Sequence, residues 1–199
     1  MDQNAEMIEP ITLEDRHVRL EPLLLSHSDA LVEAASDGEL WTLPYTIVPS
    51  KETIAAYVGR TLEKQEQGRE LPFTIFDKGR NEIVGSTRYT DIDEANRKLE
   101  IGYTWLAQRA QRTAINTEAK FLLLKHAFED LKCVRVELVT DILNERSQAA
   151  ILRLGAKQEG ILRNHMILPS GRVRDSVCFS IIDTEWPGVK ERLVARLSA

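Results

Sequence analysis

Apolar positions recur along this chain with two periods, and the change from one period to the other marks the predicted elements. Apolar and polar residues alternate through 133–140 and through 99–106, as is typical of half-buried strands. A spacing of three and four residues runs through 119–128, where the apolar face is wide enough to be buried against a sheet. The pattern therefore predicts a strand ending near residue 106, a short polar loop and a long buried helix.

Strands and helices follow one another in an order typical of a mixed α/β chain. The segment 38–49 is rich in proline and aromatic residues, so we expect it to be irregular. It forms either a wall of a ligand site or a simple lid over the core. Predicted strands cover 12–23, 71–76, 83–89, 98–106, 133–140, 160–168 and 173–182, and the further predicted helices cover 29–35, 50–67, 144–154 and 185–197.

Length and composition narrow the classes of protein. With 199 residues the chain can bury a full core, so we expect one domain over 1–199 with a flexible N-terminus over 1–11. An apolar content of 43% and a charged content of 29% exclude the disordered and membrane classes, and a net charge of −5 argues against a general nucleic-acid binder. The absence of a secretory signal and two isolated cysteines without metal-ligand spacing predict a cytoplasmic protein with no metal and no membrane partner.

The segment 111–117 connects the strand at 98–106 to the long buried helix. The first N–H groups of a helix have no partner within the helix, and the positive end of the helix dipole lies there. Such an end favours an anion, and a pyrophosphate fits it well. The alternative is an ordinary strand-to-helix turn that binds nothing. The candidate phosphate-binding residues are Gln111, Arg112, Thr113, Ala114, Ile115, Asn116 and Thr117.

The residues of 111–116, Gln-Arg-Thr-Ala-Ile-Asn, resemble the acyl-CoA pyrophosphate signature of the GNAT superfamily of N-acetyltransferases, Gln/Arg-x-x-Gly-x-Gly/Ala. Gln111 fits the signature, whereas Ala114 stands in place of Gly and Asn116 in place of Gly or Ala. A left-handed conformation costs alanine on the order of 1 kcal/mol. We therefore expect Ala114 to keep right-handed geometry, or the loop to bind CoA more weakly than in a typical member.

Later segments resemble the RimJ/RimL group of this superfamily, and the resemblance covers nearly the whole chain. It implies the GNAT fold, an α/β (α+β) architecture in which helices flank a central mixed, mostly antiparallel sheet of about seven strands. It also implies acetyl-CoA as co-substrate. The segments are Asn144-x-x-Ser147, Ala150 with Gly155-Ala156, residues 160–164, residues 174–180 and Glu185-Trp186-Pro187.

Acetyl transfer from a thioester to an amine needs a proton acceptor, a stabilised oxyanion and a leaving thiolate. Glu100 is the candidate base, because the resemblance places its strand beside the acetyl group and alternation puts Glu100 on the face opposite the apolar residues of that strand. Alternatively, Glu100 is a solvated carboxylate or is paired with Arg88 or Arg97. The family splays this strand from its neighbour, which implies oxyanion donors among the backbone N–H groups of Thr104, Trp105 and Leu106.

The resemblance assigns roles to two residues near 144–147, and two arginines are candidate phosphate contacts. Ser147 is implied as the hydroxyl that protonates the thiolate, and Asn144 as a ligand of the pantetheine amides. Arg112 and Arg153 are candidates to contact the CoA phosphates. Each residue has a structural alternative, because Asn and Ser also cap helices and an arginine near a helix end is often a surface charge.

The resemblance implies an N-acetyltransferase that moves the acetyl group of acetyl-CoA to a primary amine by direct attack in a ternary complex. An α-amine with pKa near 8 is about 10% neutral at pH 7, whereas a lysine amine is about 0.04% neutral. With one candidate base, this favours a protein N-terminal α-amine or a small-molecule amine as acceptor. A non-catalytic acyl-CoA-binding or regulatory module is the alternative. The identity of the acceptor and the existence of a homodimer are left open.

Overall fold

One sheet of eight strands organises residues 9–198, the part of the chain that the computed structural model describes. The expected flexibility of the N-terminus falls mostly on residues 1–8, which lie outside the described residues. The predicted first strand is a hairpin of two short strands, which raises the number from seven to eight. The strands are β1 (Leu13–Glu14), β2 (Val18–Pro22), β3 (Leu71–Asp77), β4 (Glu82–Asp93), β5 (Lys98–Leu106), β6 (Arg135–Asp141), β7 (Lys157–Ile167) and β8 (Val173–Ile182).

The strands lie in the order β1-β2-β3-β4-β5-β6-β8-β7, and every neighbouring pair is antiparallel except β5 and β6. This confirms the predicted mostly antiparallel sheet flanked by helices. The long helix begins where the sequence predicts and continues into a π-helical turn, His126–Asp130. The helices are α1 (Ser28–Ser36), α2 (Ile54–Glu66), α3 (Ala114–Lys125), α4 (Glu145–Leu154) and α5 (Trp186–Ser198).

The parallel pair β5 and β6 stays together only at its start. Residues 98–100 pair with residues 135–137, and beyond them the two strands diverge. A β-bulge lies in the diverging half of β5, where Tyr103 has a left-handed φ of 52° and the register with β4 shifts. The result is a wedge-shaped gap that opens toward the carboxyl ends of both strands.

Helices cover the two faces of the sheet. On one face, the buried Glu118 of α3 accepts hydrogen bonds from the backbone N–H groups of His17 and Val18, at 2.6 and 2.7 Å. On the same face, the Tyr89 hydroxyl donates to the carbonyl of Leu123 at 2.6 Å. We call this the α3 face. The opposite face, the α2 face, carries Arg88, which donates to the Tyr57 hydroxyl of α2 at 2.7 Å.

No helix within residues 9–198 combines the length and the apolar character needed to cross a bilayer. Nor do three or more His, Cys, Asp or Glu side chains of these residues converge as a metal site would require.

Candidate active site between strands β5 and β6

The free edge of β5 faces the gap. The backbone N–H of Ala107 donates to Val84 of β4 at 2.8 Å, and alternate residues of a strand direct their backbone groups to opposite sides. Leu106 therefore faces the gap, whereas Trp105 faces β4. The side chain of Gln111 donates to the Leu106 carbonyl at 2.7 Å, which agrees with this direction. Of the three predicted oxyanion donors, the backbone N–H of Leu106 is on the open side and that of Trp105 faces β4, while Thr104 lies in the bulge.

Glu100 lies at the apex of the gap, as the last residue of β5 with a partner in β6, Glu137. Its side chain makes no ion pair or hydrogen bond among residues 9–198. Burial, followed by the nearby carboxylates of Asp91 and Glu137, raises the pKa of Glu100 to about 8. Partial burial thus brings the pKa of this carboxyl close to neutral pH, as a general base requires.

Glu100 forms neither of the two ion pairs that the sequence offered as alternatives. Arg88 instead donates to Glu70 at 2.5 Å, and both side chains of that pair are buried. Arg97 has a left-handed φ of 50° in the turn before β5, and no ion pair joins it to Glu100. Glu100 is therefore neither paired with these arginines nor an ordinary solvated carboxylate.

Lys120 of α3 is a site residue that sequence analysis missed. Its side chain is buried, and its Nζ donates to Thr104 Oγ1 at 2.5 Å, beside the bulge of β5. The Thr104 hydroxyl lies 2.7 Å from that of Thr87 on β4. Burial lowers the pKa of Lys120 to about 7, and no carboxylate of the described chain lies within ion-pairing distance. The apolar residues on either side of Lys120 in the helix were the available signal of its burial.

The predicted pyrophosphate loop forms the start of α3. Thr113 is the N-cap and accepts a hydrogen bond from the N–H of Ile115 at 3.2 Å. Ala114 is the first helical residue with right-handed geometry, as predicted, and Arg112 takes the left-handed conformation with a φ of 61°. The chain thus places its strained residue before the helix, where the family signature has no glycine.

A cavity of about 260 Å³ lies at this end of α3. Two guanidinium groups border it, Arg112 from the loop and Arg196 from the last turn of α5. Arginines at the positive end of a helix dipole suit an anion. Arg196 belongs to a helix that is remote in sequence and was not among the predicted residues. The cavity is lined by Arg112, Thr113, Ala114, Thr117, Arg196 and Leu197.

The start of α4 stands at the other side of the open end of the gap, because α4 follows β6. Asn144 is the N-cap and accepts a hydrogen bond from the N–H of Ser147 at 3.0 Å. The Asn144 side-chain nitrogen and the Ser147 hydroxyl make no hydrogen bond within the described chain and remain available. Arg153 lies at the opposite end of α4, about 13 Å along the helix axis from Asn144. The structure thus brings Asn144 and Ser147 together and leaves Arg153 apart from them.

The connection between α1 and α2 lies over the α2 face, at the end of the sheet where the gap opens. Arg172, in the turn between β7 and β8, donates from Nη2 to the Pro44 carbonyl at 3.2 Å. Tyr103 projects from the bulge over the Arg88 guanidinium, which lies 4.3 Å from the ring centroid. The function of this connection as an acceptor wall stays a prediction.

Comparison with known proteins adds independent findings. A family model described as the acetyltransferase (GNAT) domain matches residues 17–157. YdaF of Bacillus subtilis (strain 168), provisionally named a ribosomal N-acetyltransferase, is 35% identical over 108 residues, which are 54% of this chain and 58% of that protein. The [ribosomal protein uS5]-alanine N-acetyltransferase of Escherichia coli (strain K12) is 24% identical over 135 residues, 67% of this chain and 69% of that protein. The crystal structure of a GCN5-related N-acetyltransferase from Brucella melitensis superposes with a TM-score of 0.86 at 33% identity, covering 96% of this chain and 87% of that one.

Proposed function

The chain belongs to the GNAT acetyltransferase family, and we propose that it transfers the acetyl group of acetyl-CoA to a primary amine by direct attack in a ternary complex. The observation that carries this proposal is Glu100, a partly buried carboxyl with a pKa of about 8 at the apex of the gap between β5 and β6. A base of this pKa removes a proton from an ammonium group near neutral pH, which a normal carboxylate does poorly. The gap gives such a group access to a thioester.

Acetyl-CoA would lie between the two helix starts at the open end of the gap. Its pyrophosphate would accept hydrogen bonds from the first N–H groups of α3, beside Arg112 and Arg196. Its pantetheine arm would pair with the free edge of β5, where the backbone of Leu106 faces the gap, and the free side-chain nitrogen of Asn144 would donate to a pantetheine amide. The cavity at the start of α3 supports this orientation.

The chemical step then needs three protein groups. Glu100 takes the proton of the acceptor ammonium, either directly or through one water, and the neutral nitrogen attacks the thioester carbon. The N–H groups on the free edge of β5 donate to the carbonyl oxygen as it becomes an oxyanion. The C–N bond forms and the nitrogen releases its second proton to solvent. The C–S bond then breaks, and the Ser147 hydroxyl supplies a proton to the CoA thiolate and is itself reprotonated from solvent.

The acceptor that fits best is an α-amine or a small amine of similar pKa. A single carboxyl base suits an amine that is already about 10% neutral at pH 7. The relative named for the uS5 alanine acts on a residue whose reactive nitrogen is an α-amine, which supports the same choice. We place the reaction in the cytoplasm, where acetyl-CoA and such acceptors coexist.

The variant Glu100→Gln tests the proposal, with the exposed Glu191→Gln on α5 as a matched control. Thiol release with an amine acceptor should fall by about 100-fold in kcat for the first variant, whereas the Kd for acetyl-CoA stays within about twofold. The control should behave as wild type. Unchanged turnover in Glu100→Gln would refute this base. If wild type binds acetyl-CoA tightly but releases no thiol with any amine acceptor, the non-catalytic acyl-CoA-binding module is favoured instead.

A further inference from the structure

A cluster of two arginines and one carboxylate lies on the α2 face, next to the gap. Asp141, at the end of β6, is fully buried and accepts hydrogen bonds from the Leu143 N–H at 2.9 Å and from Arg172 Nη2. Arg174 of β8 stands beside them, with its Nε 3.8 Å from the same carboxylate. Arg174 is largely buried, with 14% of its side chain exposed. The cluster therefore holds two cations against one anion.

The hydrogen bonds of this cluster are incomplete. The Nε atoms of Arg172 and Arg174 are both buried, and neither finds an acceptor among residues 9–198. Arg174 Nη1 contacts only the sulfur of Met166, at 3.6 Å, which is a weak acceptor. A buried donor without an acceptor costs free energy unless a ligand or water completes it. The excess positive charge makes an anion the most suitable completing group.

The two arginines have different structural duties. Arg172 ties Asp141 to the Pro44 carbonyl, and so fastens the β7–β8 turn to the connection between α1 and α2. Arg174 makes no hydrogen bond to Asp141, and its contacts with other strands are limited to the 3.8 Å approach to that carboxylate and the weak contact with the Met166 sulfur of β7. A purely structural role therefore explains Arg172 and leaves Arg174 unexplained.

Arg174 also lies close to the candidate base. Burial lowers the pKa of Arg174, while the charges of Asp141 and Glu100 raise it. In return, Arg174 lowers the pKa of Glu100. Both side chains lie on the α2 face, because Glu100 pairs with Glu137, Glu137 pairs with Ser180, and Arg174 is an even number of residues from Ser180 along β8.

We propose that Arg174, supported by Arg172, is an anion subsite that binds a carboxylate of the acceptor. The inference rests on the proposed function and narrows it. An acceptor whose amine meets Glu100 and whose carboxylate meets Arg174 carries both groups in one small molecule, as amino acids do. A guanidinium binds such a carboxylate through two parallel hydrogen bonds.

The test compares acceptors that differ only in the carboxylate. We would measure thiol release from acetyl-CoA with a series of α-amino acids and with the corresponding α-amino amides. The amides have less basic amines and so a larger neutral fraction, which means that a preference for the acids cannot arise from the amine. The enzymes are wild type, Arg174→Gln, Arg174→Lys and the control Arg163→Gln, whose side chain is exposed on β7.

We expect wild type to prefer at least one acid over its amide by about tenfold or more in kcat/KM, because a charge-assisted bidentate pair is lost with the amide. Arg174→Gln should raise KM for the acid by about tenfold with a small change in kcat, and leave the amide unaffected. Arg174→Lys should recover part of the preference, and the control should keep all of it.

Equal kcat/KM for acids and amides in wild type would overturn the subsite, and so would an equal loss on both acceptors in Arg174→Gln. These outcomes leave the acetyltransferase activity itself intact. If no acceptor in the series is acetylated, calorimetric titration in the presence of CoA tests the subsite directly. The ligands are N-acetyl amino acids and N-acetyl amino amides. Binding of the acids alone, lost in Arg174→Gln, supports the subsite, whereas no binding of either refutes it.

Discussion

Two sets of residues around the gap between β5 and β6 differ in how far apart they lie along the chain. At the start of α3, backbone N–H groups and exposed arginines line an open cavity, and most of the residues come from one short segment. The second set consists of buried charged groups from three elements, Glu100 of β5, Lys120 of α3 and Arg174 of β8, and burial shifts the pKa of each. The first set, at the start of α3, depends on local backbone geometry, which a short sequence signature can predict. The second depends on how far charges are removed from water, which only the folded chain determines.

The largest effect that this comparison predicts is the pH dependence of turnover. The pKa of Glu100 is raised to about 8, and its active form as a base is the deprotonated one. The acceptor amine also becomes neutral as the pH rises, so we would divide wild-type kcat/KM by that of Glu100→Gln at each pH. The ratio should rise about tenfold per pH unit, by about 100-fold from pH 6, and level off near pH 8. A ratio that stays constant over this range would contradict the assignment.

Lys120, one of the buried charged groups, provides the next test. Its pKa is lowered from 10.5 to about 7 in the folded protein, so the unfolded chain binds more protons between these pH values. The stability of wild type should therefore rise with pH across that window. Each pKa unit is worth about 1.4 kcal/mol, which makes the cost of this buried amine at pH 7 a few kcal/mol.

Lys120→Met should therefore be more heat-stable than wild type near pH 7, with an advantage that shrinks toward pH 10. Its kcat should fall by about tenfold, because the methionine no longer holds the Thr104 hydroxyl beside the bulge of β5. Lys125→Met, in the same helix but exposed, is the matched control and should change neither property. Thermal melts at several pH values and steady-state kinetics measure both. A melting difference that is independent of pH would show that Lys120 is not a buried amine.

The same contrast explains how far the sequence could be interpreted. Alternation along β5 and the wide apolar face of α3 are local patterns, so the strand, the loop and the helix were predictable. The right-handed geometry of Ala114 was one of the two alternatives that its Cβ left open. The apolar neighbours of Lys120 indicated that its helix position is buried but not that its amine is, because a long side chain within an apolar stretch can also extend its amine to water. Arg196 of α5 and the proposed subsite residue Arg174 of β8 belong to elements far along the chain. No residue spacing in the sequence indicates that they lie near the gap.

A smaller effect concerns the cationic rim of the CoA side. Arg196 lines the cavity at the start of α3, whereas Arg153, a predicted candidate for contact with the CoA phosphates, does not. Arg196→Ala should weaken acetyl-CoA binding by about fivefold at low salt and by less at high salt, because the side chain is exposed and its charge is screened. Arg153→Ala is the matched comparison and should change Kd by less than about twofold. Calorimetric titration at two salt concentrations measures both. A larger loss for Arg153→Ala would move the phosphates toward α4.

The smallest predicted effect is at Ala114. A glycine there restores the family signature, but Ala114 already has right-handed helical geometry, so the glycine gains no conformation that the loop uses. Ala114→Gly should bind acetyl-CoA equally or up to about twofold more tightly, and should melt slightly lower because glycine weakens a helix. Ala56→Gly, exposed in α2, should show the melting change without any effect on binding. A large loss of affinity in Ala114→Gly alone would mean that the alanine methyl contacts the ligand, and that the start of α3 holds CoA by its side chains rather than by its backbone.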